Sequence, residues 1–287
     1  MIRLSGKMAA SEVLETLNER DTYKIHSRFE SGCNLALPPF LCFVGNKNNA
    51  LLPYGILLNK EDIPVFLRQT ASAGCFRWNK KEKILYSDSV MLSLTEARIY
   101  SSFMDKKAYP IDQEGLVMLE SLIDWELPTG FGESIGSFLM AKEMEVKELY
   151  QAFAAPREEA VKVIMKWMGR GRGLTPSGDD FLMGLLFIDR VYPILGSPFF
   201  SGLKALTGQG YTTDISEHYY HCALTGHFNH AVVGLSHALV QKNSLLMRRY
   251  IDEIKMIGST SGCDMISGMA AGVRFIKGKA KIQLEGS

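Results

Sequence analysis

Thr175-Pro176-Ser177-Gly178-Asp179-Asp180-Phe181-Leu182-Met183-Gly184 and Ser259-Thr260-Ser261-Gly262-Cys263-Asp264-Met265-Ile266-Ser267-Gly268 align with Ser, Gly, Asp and the final Gly in register. Each stretch reads as a helix start. Ser, Thr or Asp before the first turn accepts hydrogen bonds from the N–H groups that a helix leaves without intrahelical acceptors, and Gly permits backbone conformations closed to other residues. An early glycine follows in each copy, Gly184 or Gly268, where a second backbone can approach closely, and Gly272 extends the small-residue face of the second. An internal repeat of two Ser-Gly-Asp corners, each opening a helix, is therefore the expectation for the C-terminal half.

Outward from these corners the spacing stays helical. Glu158 to Met168 is amphipathic, with Ala160, Val161, Ile164, Met165 and Met168 expected on one face. Helices are also expected at 115–123, 133–141, 146–153, 180–195, 214–224, 228–241, 245–257 and 263–276. Before Pro110 the texture is different. Leu35 to Val44, Ala50 to Leu58, Gly74 to Trp78, Lys83 to Ser87 and Ser89 to Arg98 read as short strands separated by turn residues such as Gly45-Asn46-Lys47-Asn48-Asn49, with a short helix over Lys60 to Gln69. Val90, Leu92 and Leu94 alternate with the period of a half-buried strand. The expected fold class is α+β: a small antiparallel β-rich N-terminal domain, 1–110, followed by a larger mostly helical domain, 111–287, that carries both corners.

The chain has 287 residues and 46% hydrophobic content, enough for one or two cores. Lys and Arg number 32 against 31 for Asp and Glu, so no long-range field steers it to nucleic acid or an anionic membrane. Cys33, Cys42, Cys75, Cys222 and Cys263 are odd in number and lack paired C-x-x-C spacing, which fits a reducing compartment. Met1 to Glu12 has no apolar stretch of signal-peptide kind, and a soluble cytoplasmic protein is expected.

The chemistry-bearing residues gather at the corners. Gly169-Arg170-Gly171-Arg172-Gly173-Leu174 alternates glycines, which bring backbone donors near a ligand, with arginines that grip oxygens in bidentate fashion. It is not a Walker A loop, which ends in Lys-Ser/Thr, and it lacks the strand-first context of a dinucleotide fingerprint. With helix N-termini that favour anions, the candidate substrate- and anion-binding set is Arg170, Gly171, Arg172, Gly173, Thr175, Ser177, Gly178, Asp179, Thr260, Ser261 and Gly262. Asp180 and Asp264 are the candidate catalytic carboxylates, because carboxylates at a helix start can orient an amide, take a proton or hold a magnesium ion. Magnesium is the one cofactor this set suggests. Plain capping accounts for part of the same pattern: Gly169 ends one helix, the arginines decorate that end, and Ser177 or Asp179 caps the next. Elsewhere, His218, His221, His227, His230 and His237 crowd together with His-x-x-His spacing, but no zincin carboxylate accompanies them and no metal site is assigned. Cys263 at a helix start is read as a small buried residue before it is read as a nucleophile.

Gly173 to Gly184, with the later Thr260-Ser261-Gly262-Cys263-Asp264, resembles the AllH family, and His26-Ser27 and Thr212-Thr213-Asp214-Ile215-Ser216 followed by Ala223 and Gly226 extend the likeness through most of the chain. The resemblance implies a subunit of oxamate carbamoyltransferase, acting in anaerobic allantoin breakdown with an FdrA-type subunit and a third protein. That enzyme exchanges a carbamoyl group between oxalurate plus phosphate and oxamate plus carbamoyl phosphate. Under it, Arg170, Arg172 and the N–H groups around Ser177 to Asp179 would bind phosphate or the oxalurate carboxylate, and Asp180 and Asp264 would orient the carbamoyl NH₂ group. Two other readings stand beside it. Ser177-Gly178-Asp179-Asp180-Phe181 resembles the Gly-Ala-Gly-Asp-x-Phe turn of ribokinase-like sugar kinases, which would make Asp180 the base of an ATP-dependent small-molecule kinase. The third is a non-catalytic ligand-binding or scaffolding subunit.

Overall fold

The computed structural model describes residues 1–46, 51–71, 75–105 and 111–285, with side chains described as far as residue 279. In chain order the elements are β1 (Ile2–Ser5), β2 (Met8–Ala10), α1 (Ser11–Thr16), β3 (Thr22–Tyr23), β4 (Ile25–Phe29), β5 (Gly32–Leu37), β6 (Phe40–Asn46), β7 (Gly55–Leu58), α2 (Asp62–Gln69), β8 (Phe76–Asn79), β9 (Ile84–Tyr86), β10 (Val90–Ser93) and β11 (Arg98–Tyr100). After them come only helices: α3 (Gln113–Leu122), α4 (Ile135–Ala141), α5 (Glu143–Ala152), α6 (Arg157–Trp167), α7 (Ser177–Val191), α8 (Ser197–Leu206), α9 (Asp214–Thr225), α10 (His230–Val240), α11 (Ser244–Lys255) and α12 (Ser261–Glu285). The strands precede the helices, as the α+β reading expects.

The strands form two sheets, ordered β1-β10-β9-β8-β3 and β11-β2-β7-β6-β5-β4. They are mixed and not purely antiparallel, because β1 with β10, β11 with β2, and β6 with β7 run parallel. In the first two of these pairs the partners are distant in the chain, so no hairpin turn forces reversal, whereas β10 turns back on its sequence neighbour β9 through residues 87–89 and pairs with it antiparallel. The apolar run 35–44 is two strands, since the chain folds back at Pro38-Pro39 and pairs Leu37 with Phe40. Two adjacent prolines have no N–H to give a ladder, which makes that point a turn. Lys47 to Ala50 and Gly74, parts of the expected turn and strands, lie outside the described residues. β10 follows its alternation, with Val90, Leu92 and Leu94 buried.

The chain divides into two compact units, Met1–Phe103 with His227–His230, and Met104–Gly226 with Ala231–Ser287. In the first unit, buried Glu12 accepts from the Ser102 N–H at 3.0 Å and lies 3.1 Å from His227 Nδ1. The second unit is built around α7, of which every residue except Arg190 is buried. On α6 the buried face is Ala160, Val163, Ile164 and Trp167, whereas Val161 is half-buried and Met165 exposed. That face is rotated from the expected one because Val163 and Trp167 belong to the same i, i+3, i+4 set, and Trp167 stacks on Phe181 at 4.6 Å. Among the described residues, no helix is long and apolar enough to cross a membrane.

Candidate functional site

The repeat seen in the sequence is a repeat in space. A Cβ built on Gly184 would overlap the Met265 carbonyl oxygen, and one on Gly268 would overlap the Phe181 carbonyl oxygen. These are reciprocal contacts, each glycine lying against the backbone one turn earlier in the other helix. A Cβ on Gly272 would come within 2.9 Å of Ile188 Cγ2, so contact positions advance together along α7 and α12 and the helices run parallel. Both N-termini therefore lie at one end of the pair.

The preceding helices repeat the pattern. A Cβ on Gly178 would overlap the carbonyl oxygen of Trp167 near the end of α6, and one on Gly262 would overlap that of Ile254 near the end of α11. Gly178 N–H donates to the Arg170 carbonyl at 2.8 Å, and Gly262 N–H to that of Ile257 at 3.0 Å. Two helix-loop-helix units, α6–α7 and α11–α12, thus bring their corners together with local twofold pseudo-symmetry.

The side chains cross over between the copies. Hydroxyls of Ser261 and Thr175 favour ionisation of Asp180, and those of Ser177 and Thr260 favour ionisation of Asp264, so each corner's serine serves the other corner's aspartate. Thr175 Oγ1 and Ser261 Oγ are 2.8 Å apart. Gly130 N–H donates to Asp264 Oδ1 at 2.8 Å. Asp180 and Asp264 are 6% and 0% exposed, and Oδ2 of each is buried with no hydrogen-bond partner among the described residues.

Burial dominates their acidity. It pushes Asp180 up to about 8, with the hydroxyls of Ser261 and Thr175 opposing and the negative charges of Asp264 and Asp179 adding to the rise. Asp264 is raised by burial too, against the Gly130 N–H and the hydroxyls of Ser177 and Thr260. The pair shares one low-dielectric site and holds a proton near neutral pH. One carboxyl can then donate while its neighbour accepts, which matches the two edges of an amide, C=O and N–H.

The other candidates separate into spent and available groups. Asp179, 2% exposed, accepts from Gly169 N–H at 2.9 Å, from Tyr220 OH at 2.8 Å and from Thr212 Oγ1. Its lone pairs are committed to bracing. Arg170 pairs with Glu145, and its guanidinium lies over the rings of Trp167 at 5.4 Å and Phe131 at 5.6 Å. The Gly178 N–H is taken by Arg170, and those of Asp179 and Asp180 by the Pro176 carbonyl at 2.9 and 3.2 Å. Capping has absorbed most of the donors expected to form an anion nest, because a buried helix start cannot leave amides unpaired. What stays available is the Ser177 N–H, which has no acceptor among the described residues, and Arg172, exposed and without an ion pair among them. Gly171 and Gly173 hold φ of +124° and +100°, and a Cβ on Gly171 would come within 2.7 Å of Ser177 N.

Cys263 is buried, and burial with the charge of Asp264 raises its thiol above the ordinary range, which keeps it protonated. His218 is held down to about 3 by burial, with Cys222 Sγ 3.7 Å from its ring nitrogens. No group of three or more His, Cys, Asp or Glu among the described residues is placed to hold a metal ion.

Two participants were not foreseen, Gly130 and Phe131. Gly130 is exposed on one side, yet a Cβ there would come within 2.8 Å of both Asp264 Oδ2 and Thr260 Oγ1 and would overlap Ser177 Oγ. Phe131 stacks on Phe138 at 4.1 Å and meets Trp167 and Phe181 edge-on. The signal was Thr129-Gly130-Phe131-Gly132, an aromatic between glycines directly before an expected helix.

No solved structure matches the chain. The stretch from the last residue of α6 through both corners into α12, residues 167–273, matches the AllH family, described as oxamate carbamoyltransferase subunit AllH; His26-Ser27 lies outside it.

Proposed function

We propose that the chain is the amide-orienting subunit of an oxamate carbamoyltransferase, working in the cytoplasm with an FdrA-type subunit and a third chain in allantoin breakdown. The observation that carries this reading is the crossed pair of corners inside the family-matched segment: two buried carboxyls, each with a partnerless oxygen, served by hydroxyls from the opposite helix. Oxalurate, oxamate and carbamoyl phosphate are small anions bearing a primary amide or carbamoyl group. Protonated Asp180 donates to the carbamoyl carbonyl or to the departing nitrogen, and Asp264 accepts from the NH₂ group. Arg172 and the Ser177 N–H take the anionic end. Arg170 and Asp179 hold the loop.

In the oxalurate direction, a phosphate oxygen bonds to the carbamoyl carbon as the bond to the oxamate nitrogen breaks. That nitrogen receives a proton from Asp180, and the proton lost by hydrogen phosphate returns to the carboxyl pair, so charge and protons balance. The kinase reading meets a different context here. Its turn follows a long alternating β/α region, whereas α3 to α6 are successive helices. The non-catalytic reading draws support from the internally satisfied amides of Gly178, Asp179 and Asp180.

One assay separates these readings: phosphorolysis of oxalurate by the reconstituted complex, with each subunit omitted in turn and with Asp180→Asn or Asp264→Asn. Loss of turnover on omitting this chain and a drop of about 10²-fold or more in both variants are expected. Normal turnover in Asp180→Asn sinks its assigned role, and oxalurate-independent ATP hydrolysis by the isolated chain selects the kinase.

A further inference from the structure

Asp180 Oδ2 and Asp264 Oδ2 have no hydrogen-bond partner among the described residues and are buried, yet the surface is only one residue away. That residue is Gly130, exposed above and lying on Ser177, Thr260 and Asp264 below. It sits at the tip of a tight reversal in which Pro128 bridges Ser134, Thr129 N–H donates to the Glu133 carbonyl at 2.8 Å, and Gly132 N–H donates to the Thr129 carbonyl at 3.1 Å. At the foot of the reversal Ile135 N–H and Gly136 N–H donate to Leu127 and Trp125. The reversal is tied at its own base, with Thr129 buried, and among the described residues it meets the corners through a hydrogen bond, Gly130 N–H to Asp264 Oδ1, and through Phe131 in the aromatic cluster beneath Arg170.

We propose that the Thr129–Gly132 reversal is a removable roof over the two-corner site, and that ligand enters by replacing the Gly130 N–H on Asp264 with an N–H donor of its own. Gly130 is then a positioning residue: it fixes Asp264 through Oδ1 in the closed state and leaves Oδ2 turned to the ligand's place. The absence of a side chain is required for the roof to close, since a methyl group would fall on Ser177 Oγ. Phe131 is the latch. Its ring leaves the cluster without breaking backbone hydrogen bonds at the base of the reversal. The identity of the entering donor rests on the carbamoyl-transfer reading, whereas the roof rests on the geometry alone.

Hydrogen exchange followed by mass spectrometry on the full chain tests it, comparing the segment 128–134 with 180–188 of α7. The Gly130 amide is expected to exchange by local opening, about 10²-fold or more faster than the α7 amides. Phe131→Ala raises that rate about tenfold further, Phe131→Leu restores most of the protection, and α7 is unmoved in both. In Phe131→Ala the Asp180 carboxyl, followed by carbon-13 resonance, titrates below its wild-type midpoint because water reaches it. Exchange of 128–134 only as fast as α7, or a Phe131→Ala variant with unchanged exchange and unchanged Asp180 titration, overturns the roof. Oxamate added to the reconstituted complex is expected to speed exchange at 128–134 by occupying Asp264. If the roof opens in Phe131→Ala but oxamate leaves 128–134 unchanged, the carbamoyl reading fails and the roof stands.

Discussion

Asp179 and Asp180 are neighbours in the chain with opposite surroundings. Asp179 is saturated by Gly169 N–H, Tyr220 OH and Thr212 Oγ1, so its removal strands buried donors. Asp179→Ala is expected to destabilise the fold by about 2–4 kcal/mol, read by urea denaturation, and an unchanged midpoint means the brace is not real. Asp180 is buried with an orphan oxygen, and its folded-state value of about 8 stands above the ordinary 3.8. Below pH 4 both states are protonated and the group costs nothing. From pH 4 to 8 the unfolded chain ionises while the folded one stays protonated, so stability falls across that window and levels off above it. Asp180→Asn is therefore expected to stabilise the protein at pH 8 by on the order of 5 kcal/mol, to remove the fall in stability that Asp180 causes between pH 4 and 8, and to lower carbamoyl transfer by about 10²-fold or more. Urea unfolding at pH 4, 6 and 8 checks it, and a variant no more stable at pH 8 shows that the carboxyl is not held neutral. The sequence disclosed that both residues sit at a helix start. It did not disclose which was spent, because that depends on Tyr220 and Thr212, distant in the chain.

At the scale of elements, α7 and α12 meet through Gly184 and Gly268, and the crossing distance sets the separation of the corners. Gly184→Ala or Gly268→Ala gains about 1 kcal/mol of helix propensity but places a methyl on a carbonyl oxygen of the partner helix. Overlap at a packed crossing costs about 1–3 kcal/mol, so each variant is expected to lose stability on balance. Their effects should fall short of additivity when combined, because once the helices have moved apart the second methyl finds room. Thermal unfolding of both single variants and the double variant checks this, and strictly additive losses argue against a shared crossing. The crossing was legible in the register of the repeat, where Gly184 and Gly268 fell at equivalent positions. The rotated face of α6 was not, since the i, i+3, i+4 sets of a helix rich in Val, Ile and Met overlap and only Phe181 against Trp167 decides between them. Likewise, Pro38-Pro39 marked a turn inside an apolar run whose length alone suggested one strand.

For the whole molecule, the two compact units carry buried carboxyls of opposite sign in their response to pH. In the β-rich unit, burial raises Glu12, but hydrogen bonds from His227 and the Ser102 N–H outweigh it and hold the group at about 2, below its ordinary 4.5. That stabilisation is complete above pH 4.5 and drains away as pH falls toward 2. In the helical unit the Asp180 penalty is absent below pH 4 and grows as pH rises to 8. Acid is therefore expected to loosen the β-rich unit first, and mild alkali the helical unit. Fluorine-labelled tryptophan separates them, because Trp78 reports the first unit and Trp125 and Trp167 the second. With urea as the denaturant, the Trp78 midpoint should fall from pH 5 to pH 3 and be nearly level from pH 5 to 8, while the Trp167 midpoint should fall from pH 5 to 8. Glu12→Gln removes the first dependence without touching the second, and Asp180→Asn does the reverse. Coincident midpoints at every pH would mean that the units unfold as one cooperative body, in which case each carboxyl's contribution appears in all the tryptophans and only the variants can assign it.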